Sequence, residues 1–381
     1  MLMVIFGAGA SYDSYPSLQP QSGIQFANDV RPPLASQLFS DREAFAKVAS
    51  DFQDCQPIIP FVRNVSPPNS VEQVLEGLQS EAGKDPRLCA QLAAVRHYLQ
   101  FIILECESEW RKVHKGVTNF HTLFHEIEGW RSKQNESVCL VTFNYDTMIE
   151  QALPSVGVKI AEMGDYISQN YILIKPHGSV NWGRAVDNVH VLMENVNEWA
   201  VAKTLIDSAY FLWPRNEFQI VTSRPIGKSD RGPLIPALAI PIVQKQEYEC
   251  PKEHLDMLDK CIPEVTKLLV VGWRASEKIF LQRLAKHLKH KLQVMVVSGS
   301  AVDAEETISN LAVVRMQVNG GYKKADEGFS HFILGRSVQG FLRALIYLTH
   351  YPDWRILRSS QGGRHEPEAT NHSPRSRQVL C

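Results

Sequence analysis

The chain begins with five apolar residues, Leu2 to Phe6, that run directly into Gly7-Ala8-Gly9-Ala10-Ser11. A short apolar run closed by a glycine turn is how a doubly wound α/β sheet starts, with a buried parallel strand feeding a helix. Glycines there permit a tight turn and close approach to a pyrophosphate. The helix that follows presents free N–H groups and the positive end of its dipole. Gly7, Ala8, Gly9, Ala10 and Ser11 are therefore candidate nucleotide-binding positions. The third glycine of the full dinucleotide fingerprint is absent, and Gly-Ala-Gly also closes purely structural loops, so this segment alone leaves both readings open.

The rest of the chain extends the α/β pattern. Apolar runs of strand length occur at Val138 to Phe143, Tyr171 to Ile174, Ala237 to Ile242, Lys267 to Val271, Leu292 to Val297 and Val313 to Gln317. Helical segments follow them at Asp146 to Leu153 (stopped by Pro154), Pro251 to Val265, Glu277 to Leu288, Ala304 to Leu311 and Ser337 to Leu348. Strands alternating with helices imply a parallel sheet with right-handed crossovers. The fold class expected is α/β: a Rossmann-like doubly wound parallel sheet, built from 1–19 and 136–348, with a largely helical insertion over 20–135.

Within that insertion, 17–69 reads as irregular and is punctuated by Pro32-Pro33 and Pro67-Pro68. Asn69-Ser70 then start a helix with Val71, Val74, Leu75 and Leu78 on one face. Asp85-Pro86 start a longer one that Gly116 stops, and a third covers Phe120 to Trp130. Residues 180–233 are a candidate second insertion, and 359–381, polar and without apolar periodicity, read as a disordered tail. The sequence carries no internal repeat.

Composition narrows the function classes. Over 381 residues the hydrophobic fraction is 44%, the charged fraction 21% and the net charge −1, so no global field draws the chain to nucleic acid or to anionic membrane. No apolar run is long enough to span a bilayer. Strand-like residues from the second position leave no room for a signal peptide, and a cytoplasmic location is expected. The seven cysteines include no Cys-x-x-Cys pair, which argues for reduced thiols and against a zinc ribbon. No metal is expected.

Polar residues gather where the strands end, the edge at which open α/β sheets bind ligands. Four such ends are Gly7 to Ser11, Thr142-Phe143-Asn144-Tyr145-Asp146, Lys175-Pro176-His177-Gly178 and Gly272-Trp273-Arg274-Ala275-Ser276-Glu277. Each has a plainer structural reading. Asn144 and Ser276 would cap helices, Asp146 would complement a helix dipole, and His177 would be satisfied within a turn. His121 and His125 have metal-ligand spacing without an evident third ligand, and fit an exposed helix face. Trp110, Trp130, Phe211 and Trp213 read as core.

Taken in order, Gly-Ala-Gly-x-Ser, then Asn-x-Asp after a strand, then His-Gly after the next, then a strand ending Gly-x-x-x-Ser, the chain resembles the sirtuin superfamily. The Asn-Tyr-Asp form and the helical insertion are similar to the sirtuin-like NAD⁺ hydrolases of bacterial anti-phage defence. The resemblance covers 1–16 and 136–345. It implies NAD⁺ as substrate, cleaved to nicotinamide and ADP-ribose. Asn144 and His177 would be catalytic, and Asp146 would lie near the nicotinamide amide. Gly7, Ala8, Gly9, Ala10, Ser11, Gly272 and Ser276 would hold the dinucleotide.

It further implies a homo-oligomer gated by a partner, a HerA-type hexameric ATPase rather than an Argonaute. Two alternatives stay open: an NAD-dependent deacylase or ADP-ribosyltransferase, and a non-catalytic NAD- or ADP-ribose-binding subunit. The chain departs from the family in lacking the two Cys-x-x-Cys pairs of the deacylases and the Gly-Ile-Pro-Asp-Phe-Arg loop. Arg31-Pro32-Pro33 lies beyond the place of that loop, and its arginine has no assigned equivalent.

Overall fold

The computed structural model describes residues 1–17, 30–65, 70–189, 196–222, 224–241 and 248–344. The tail expected over 359–381 lies outside them. In chain order the strands are β1 (Leu2–Phe6), β2 (Val138–Thr142), β3 (Tyr171–Ile174), β4 (Gly178–Asp187), β5 (Trp213–Ile220), β6 (Lys228–Ser229), β7 (Gly232–Leu238), β8 (Lys267–Val271), β9 (Leu292–Val297) and β10 (Val318–Ala325).

Six of them form one sheet in the order β10-β9-β8-β1-β2-β3, with every neighbouring pair parallel. This is the doubly wound Rossmann-like order that the sequence led us to expect. All five residues of β1, β2 and β8 are buried. That is why these strands read as continuous apolar runs rather than alternating ones. Successive side chains serve opposite layers. Leu2, Val4 and Phe6 join one core cluster with Phe120 and Phe124, while Met3 and Ile5 join another with Leu258, Phe280 and Leu284.

After the five-residue helix α1 (Ala8–Tyr12), the insertion holds α2 (Glu43–Asp51), α3 (Ile59–Arg63), α4 (Val71–Ala82), α5 (Pro86–His114) and α6 (Asn119–Gln134). The stretch read as irregular thus contains two helices. Neither starts with a side-chain cap, and both are held by burial of Phe45, Val48, Ile59 and Val62. In contrast, α4 begins with the Ser70–Gln73 capping pair, and the Asp85 carboxylate accepts from the amides of Arg87 (2.9 Å) and Leu88 (3.3 Å) at the start of α5. His121 takes a capping role at α6, its Nδ1 accepting the Thr118 amide at 3.2 Å.

The remaining helices are α7 (Met148–Ala152), α8 (Glu198–Asp207), α9 (Lys252–Cys261), α10 (Lys278–His287), α11 (Ala301–Ala312), α12 (Gly328–Leu334) and α13 (Ser337–Arg343). Pro154 does not end a helix but sits in the first turn of a 3₁₀ segment, Leu153–Val156, that continues α7. Around the stretch 180–233 the described residues form an antiparallel sheet of order β5-β4-β7-β6, with α8 between β4 and β5.

Several elements differ from expectation. Ala237 and Leu238 end β7 in that second sheet, so the strand expected from Ala237 is not part of the parallel one; its last residue, Ile242, lies outside the described residues. The sixth parallel strand is Val318–Ala325 rather than Val313 to Gln317, and Val313 is exposed. As an edge strand carrying Gly320 and Gly321 at positive φ, β10 lacks the apolar run that marks the central strands. α12 was not anticipated. Trp110 is buried, but Phe211 and Trp213 are exposed rather than core. Among the described residues no helix is long and apolar enough to cross a membrane.

Candidate active site

In this strand order the chain leaves β1 toward β2 and leaves β8 toward β9, on opposite sides. A crevice opens outside the carboxyl ends of β1 and β8, where such sheets bind ligands. The structure holds a cleft there of about 1350 Å³, ample for a dinucleotide against the several hundred to ~1,000 Å³ of ordinary ligand sites.

The glycines set how closely the two loops approach. The Gly7 amide donates to the Val271 carbonyl (3.0 Å) and the Gly9 amide to the Gly272 carbonyl (3.1 Å). A β-carbon on Gly7 would lie 2.5 Å from the Gly272 oxygen, and one on Gly272, whose φ is +59°, would lie 2.3 Å from the Ala10 nitrogen. The glycines therefore lock β1 against β8, and these two amides already have partners. The Ala8 amide, at the start of α1, makes no hydrogen bond among the described residues. Ala10 is fully buried in the core and forms no part of the cleft wall.

Ser11, Asn144 and Asp146 meet directly. The Ser11 hydroxyl donates to Asp146 Oδ2 at 2.6 Å and accepts from Asn144 Nδ2 at 2.8 Å. Asn144 Nδ2 also donates to the Gly7 carbonyl at 2.9 Å. Because Gly7 offers only an acceptor at that point, the amide orientation is determined by the network. Asn144 Oδ1 is left buried and without a hydrogen-bond partner among the described residues. Such an orphan acceptor is costly unless something donates to it. The reading of Asn144 as a helix cap does not hold, since the residue at the N-cap position of α7 is Thr147, three positions on.

Asp146 Oδ1 accepts the Met148 amide at 3.1 Å, so its helix-start role is also realised. Burial pushes its carboxyl above the usual range, opposed by Lys175 and the Ser11 bond. Lys175 is fully buried, with Nζ donating to the Asp146 carbonyl (2.5 Å) and to Glu150 (2.8 Å).

His177 is buried at the end of β3, its ring 4.9 Å from Phe143 and 6.1 Å from Tyr145. Phe143 stacks on Trp273 at 5.1 Å, so a continuous row of rings joins the β3 end to the β8 end. Gly178, at φ +80°, makes the turn possible, because a β-carbon there would lie 1.8 Å from the Ala237 oxygen. Gly272 and Ser276 both line the cleft. Ser276 is exposed, and its hydroxyl donates to Glu277 at 3.3 Å; Glu277, not Ser276, precedes α10 as its cap position.

Arg31 also lines the cleft. It is 3% exposed, its guanidinium carbon lies 4.5 Å from the Tyr12 ring centre and 5.4 Å from that of Trp110, and Nε and Nη2 have no hydrogen-bond partner among the described residues. Its positive charge works against the rise that burial gives the Asp13 carboxyl. The sequence names Arg31 but offers no signal that would place it here. Lys175 has such a signal, since it is a lysine closing a fully apolar strand two residues before His177.

No family model matches the sequence, and no curated protein matches it. The chain is similar to solved structures of Sir2 homologues. One is a mutant in complex with ADP-ribose, at 14% identity over 90% of each chain with a TM-score of 0.34. Another, described as the structural basis for the mechanism and regulation of Sir2 enzymes, is 11% identical over 90% of this chain and 91% of that chain, with a TM-score of 0.37. A third is a mutant complex with 2′-O-acetyl ADP-ribose, at 15% identity and a TM-score of 0.33. The fold assignment here stands on the strand order and parallel pairing described above. Among the described residues no group of three or more His, Cys, Asp or Glu side chains is arranged to hold a metal ion.

Proposed function

We propose that the chain is a sirtuin-like NAD⁺ glycohydrolase. The observation that carries the reading is the Ser11–Asn144–Asp146 network, hydrogen-bonded to Gly7 at the sheet's switch point in the same cleft as His177. Three residues from two strand ends far apart in sequence meet there, and one buried acceptor, Asn144 Oδ1, has no partner among the described residues. A ribose hydroxyl or a water would donate to it.

In this reading the bond between nicotinamide nitrogen and ribose C1′ breaks through an oxocarbenium-like state. The bonding electron pair leaves with nicotinamide, which departs neutral and needs no protonation. Water attacks C1′, and His177 takes the water's proton, a role worth about 10²–10⁴-fold in rate. Asn144 orients the water or the ribose hydroxyls. Asp146, held by Ser11 and Met148, faces the nicotinamide amide. Arg31, whose Nε and Nη2 have no partner among the described residues, supplies charge to the diphosphate.

Mixing purified protein with NAD⁺ and following nicotinamide and ADP-ribose tests the reading. Stoichiometric formation of both supports it, and failure of a folded protein to release nicotinamide overturns it.

The motif order extends the proposal to an NAD⁺-depleting effector of bacterial anti-phage defence, gated by a partner such as a HerA-type ATPase. Mass photometry with and without that partner, beside the nicotinamide assay, tests this part. A second reading has one observation in its favour. The insertion contributes Leu38, Phe39, Val62, Val71 and Ile103 to the cleft wall, an apolar surface for a second substrate. Nicotinamide release that depends on an acylated peptide would favour it.

A further inference from the structure

Helix α5 belongs to the insertion, yet it reaches three segments that flank the candidate site. Gln100 Nε2 donates to the Val180 carbonyl at 3.0 Å, just beyond His177-Gly178. Glu107 Oε2 accepts the Thr147 amide at 2.9 Å and Oε1 the Thr147 hydroxyl at 2.6 Å, one residue after Asp146. Trp110 Nε1 donates to the Ser14 hydroxyl at 2.8 Å, three residues after Ser11. Gln100, Glu107 and Trp110 are all buried. At 3.6 residues per turn the three positions fall within about 80° of one helix face.

Glu107 is the most committed of the three. Gln151 Nε2 donates to the same carboxylate and, at 2.8 Å, to the Thr147 hydroxyl, closing a small ring of bonds around the turn that follows Asp146. A carboxylate with that many donors is a rigid anchor, and donors left behind by its removal would be buried and unpaired. Burial, and next the Asp146 carboxylate, raise its pKa, while the two Thr147 bonds oppose the rise.

We propose that Glu107 is a positioning residue: from the helical insertion it clamps the Asn144–Thr147 turn, so that the insertion is a working part of the active site and not only a cover. It touches no reacting atom. Its catalytic consequence rests on the NAD⁺-cleaving reading; the clamp itself does not.

The test uses the full chain with Glu107→Gln and Thr147→Val. Gln keeps the size but turns an N–H₂ toward a donor, and Val keeps the shape but removes the hydroxyl. Hydrogen–deuterium exchange on the unliganded protein should show peptides spanning 144–152 exchanging about tenfold faster in Glu107→Gln, with α5 itself unchanged, as expected for local loss of an anchoring bond. The kcat for nicotinamide release should fall about tenfold, by more than KM rises, because misplacing an orienting group acts on the reacting geometry. The double variant should be no slower than the slower single one, since the hydroxyl bond that Thr147→Val removes is one of the two that Glu107 makes to Thr147 and both variants act on the same clamp.

Unchanged exchange at 144–152, wild-type kcat in Glu107→Gln, or losses that multiply in the double variant would each overturn the proposal. Should the wild-type protein release no nicotinamide, the NAD⁺ reading falls while the exchange experiment still decides the clamp.

Discussion

The Ser11 hydroxyl donates to the Asp146 carboxylate at 2.6 Å across 135 positions of sequence. This bond ties the turn after β1 to the turn after β2, and Asn144 joins it through the same hydroxyl. Ser11→Ala removes a donor from Asp146 and an acceptor from Asn144 at one stroke. Leaving buried groups unpaired costs about 1–3 kcal/mol, so the melting temperature should fall while the fold persists. His177→Ala should abolish nicotinamide release with little change in melting; Asn144→Ala should abolish it too, and should lower the melting temperature as Ser11→Ala does, because the Gly7 carbonyl and the Ser11 hydroxyl lose their donor while the fold persists. Wild-type turnover in either would remove that residue from the mechanism.

Gly272→Ala should be far more damaging to stability than to chemistry. The new methyl would lie 2.3 Å from the Ala10 nitrogen on a residue already at φ +59°. Backbone on both sides cannot yield as a flexible side chain would, so a loss of about 3 kcal/mol or more, or failure to fold, is expected. Denaturant unfolding measures it. A loss below about 1 kcal/mol, within the range of ordinary substitutions, would show that the two loops are not locked together.

Arg31→Met should separate stability from binding. A buried guanidinium whose Nε and Nη2 have no partner among the described residues is destabilising until an anion arrives, and an apolar side chain of similar length removes that burden. The variant should melt at or above the wild-type temperature. Its affinity for ADP-ribose, read by calorimetry, should drop about 10-fold or more, the worth of one charge-assisted hydrogen bond. Lower stability with unchanged affinity would assign Arg31 a purely structural role.

Acid should weaken the fold through two buried histidines. Burial lowers His97 to about 3 and His254 to about 4. For a group whose folded pKa is depressed, stability is complete above the unfolded value near 6.5 and is lost as pH falls toward the folded one, by about 1.4 kcal/mol per pH unit and group. Asp146 and Glu107, raised by burial, act with the opposite sign and favour the fold at low pH. Thermal melts between pH 7.5 and 5.5 should show the decline, and His97→Leu, which removes the imidazole stacked on Phe52, should flatten it. An identical pH dependence in the variant would contradict the assignment.

Addition of a chelator should leave nicotinamide release unchanged, because the proposed steps use only hydrogen-bonding side chains and one histidine. Loss of activity with EDTA, restored by zinc, would show otherwise.

The central sheet was legible in the sequence because parallel strands buried on both faces must be continuously apolar, and β1, β8 and β9 end where their apolar runs end. Legibility faded toward the edge, where β10 carries glycines and lysines instead. Strand ends marked the site for a related reason: polar residues that close an apolar run have the sheet's carboxyl edge as their natural place.

Tertiary structure alone decided what those residues do to one another. That Gly7 and Gly272 pack loop on loop, that Ser11 bridges Asn144 and Asp146, and that Arg31 and Glu107 come in from the insertion are matters of distance between segments far apart in sequence. Local propensity acts over a few residues and carries no record of such distances. The sequence by itself determined the sheet and the edge where chemistry gathers, because burial and periodicity are local. The partners at that edge were decided only when the chain closed, because hydrogen bonds join whatever the fold brings within about 3 Å.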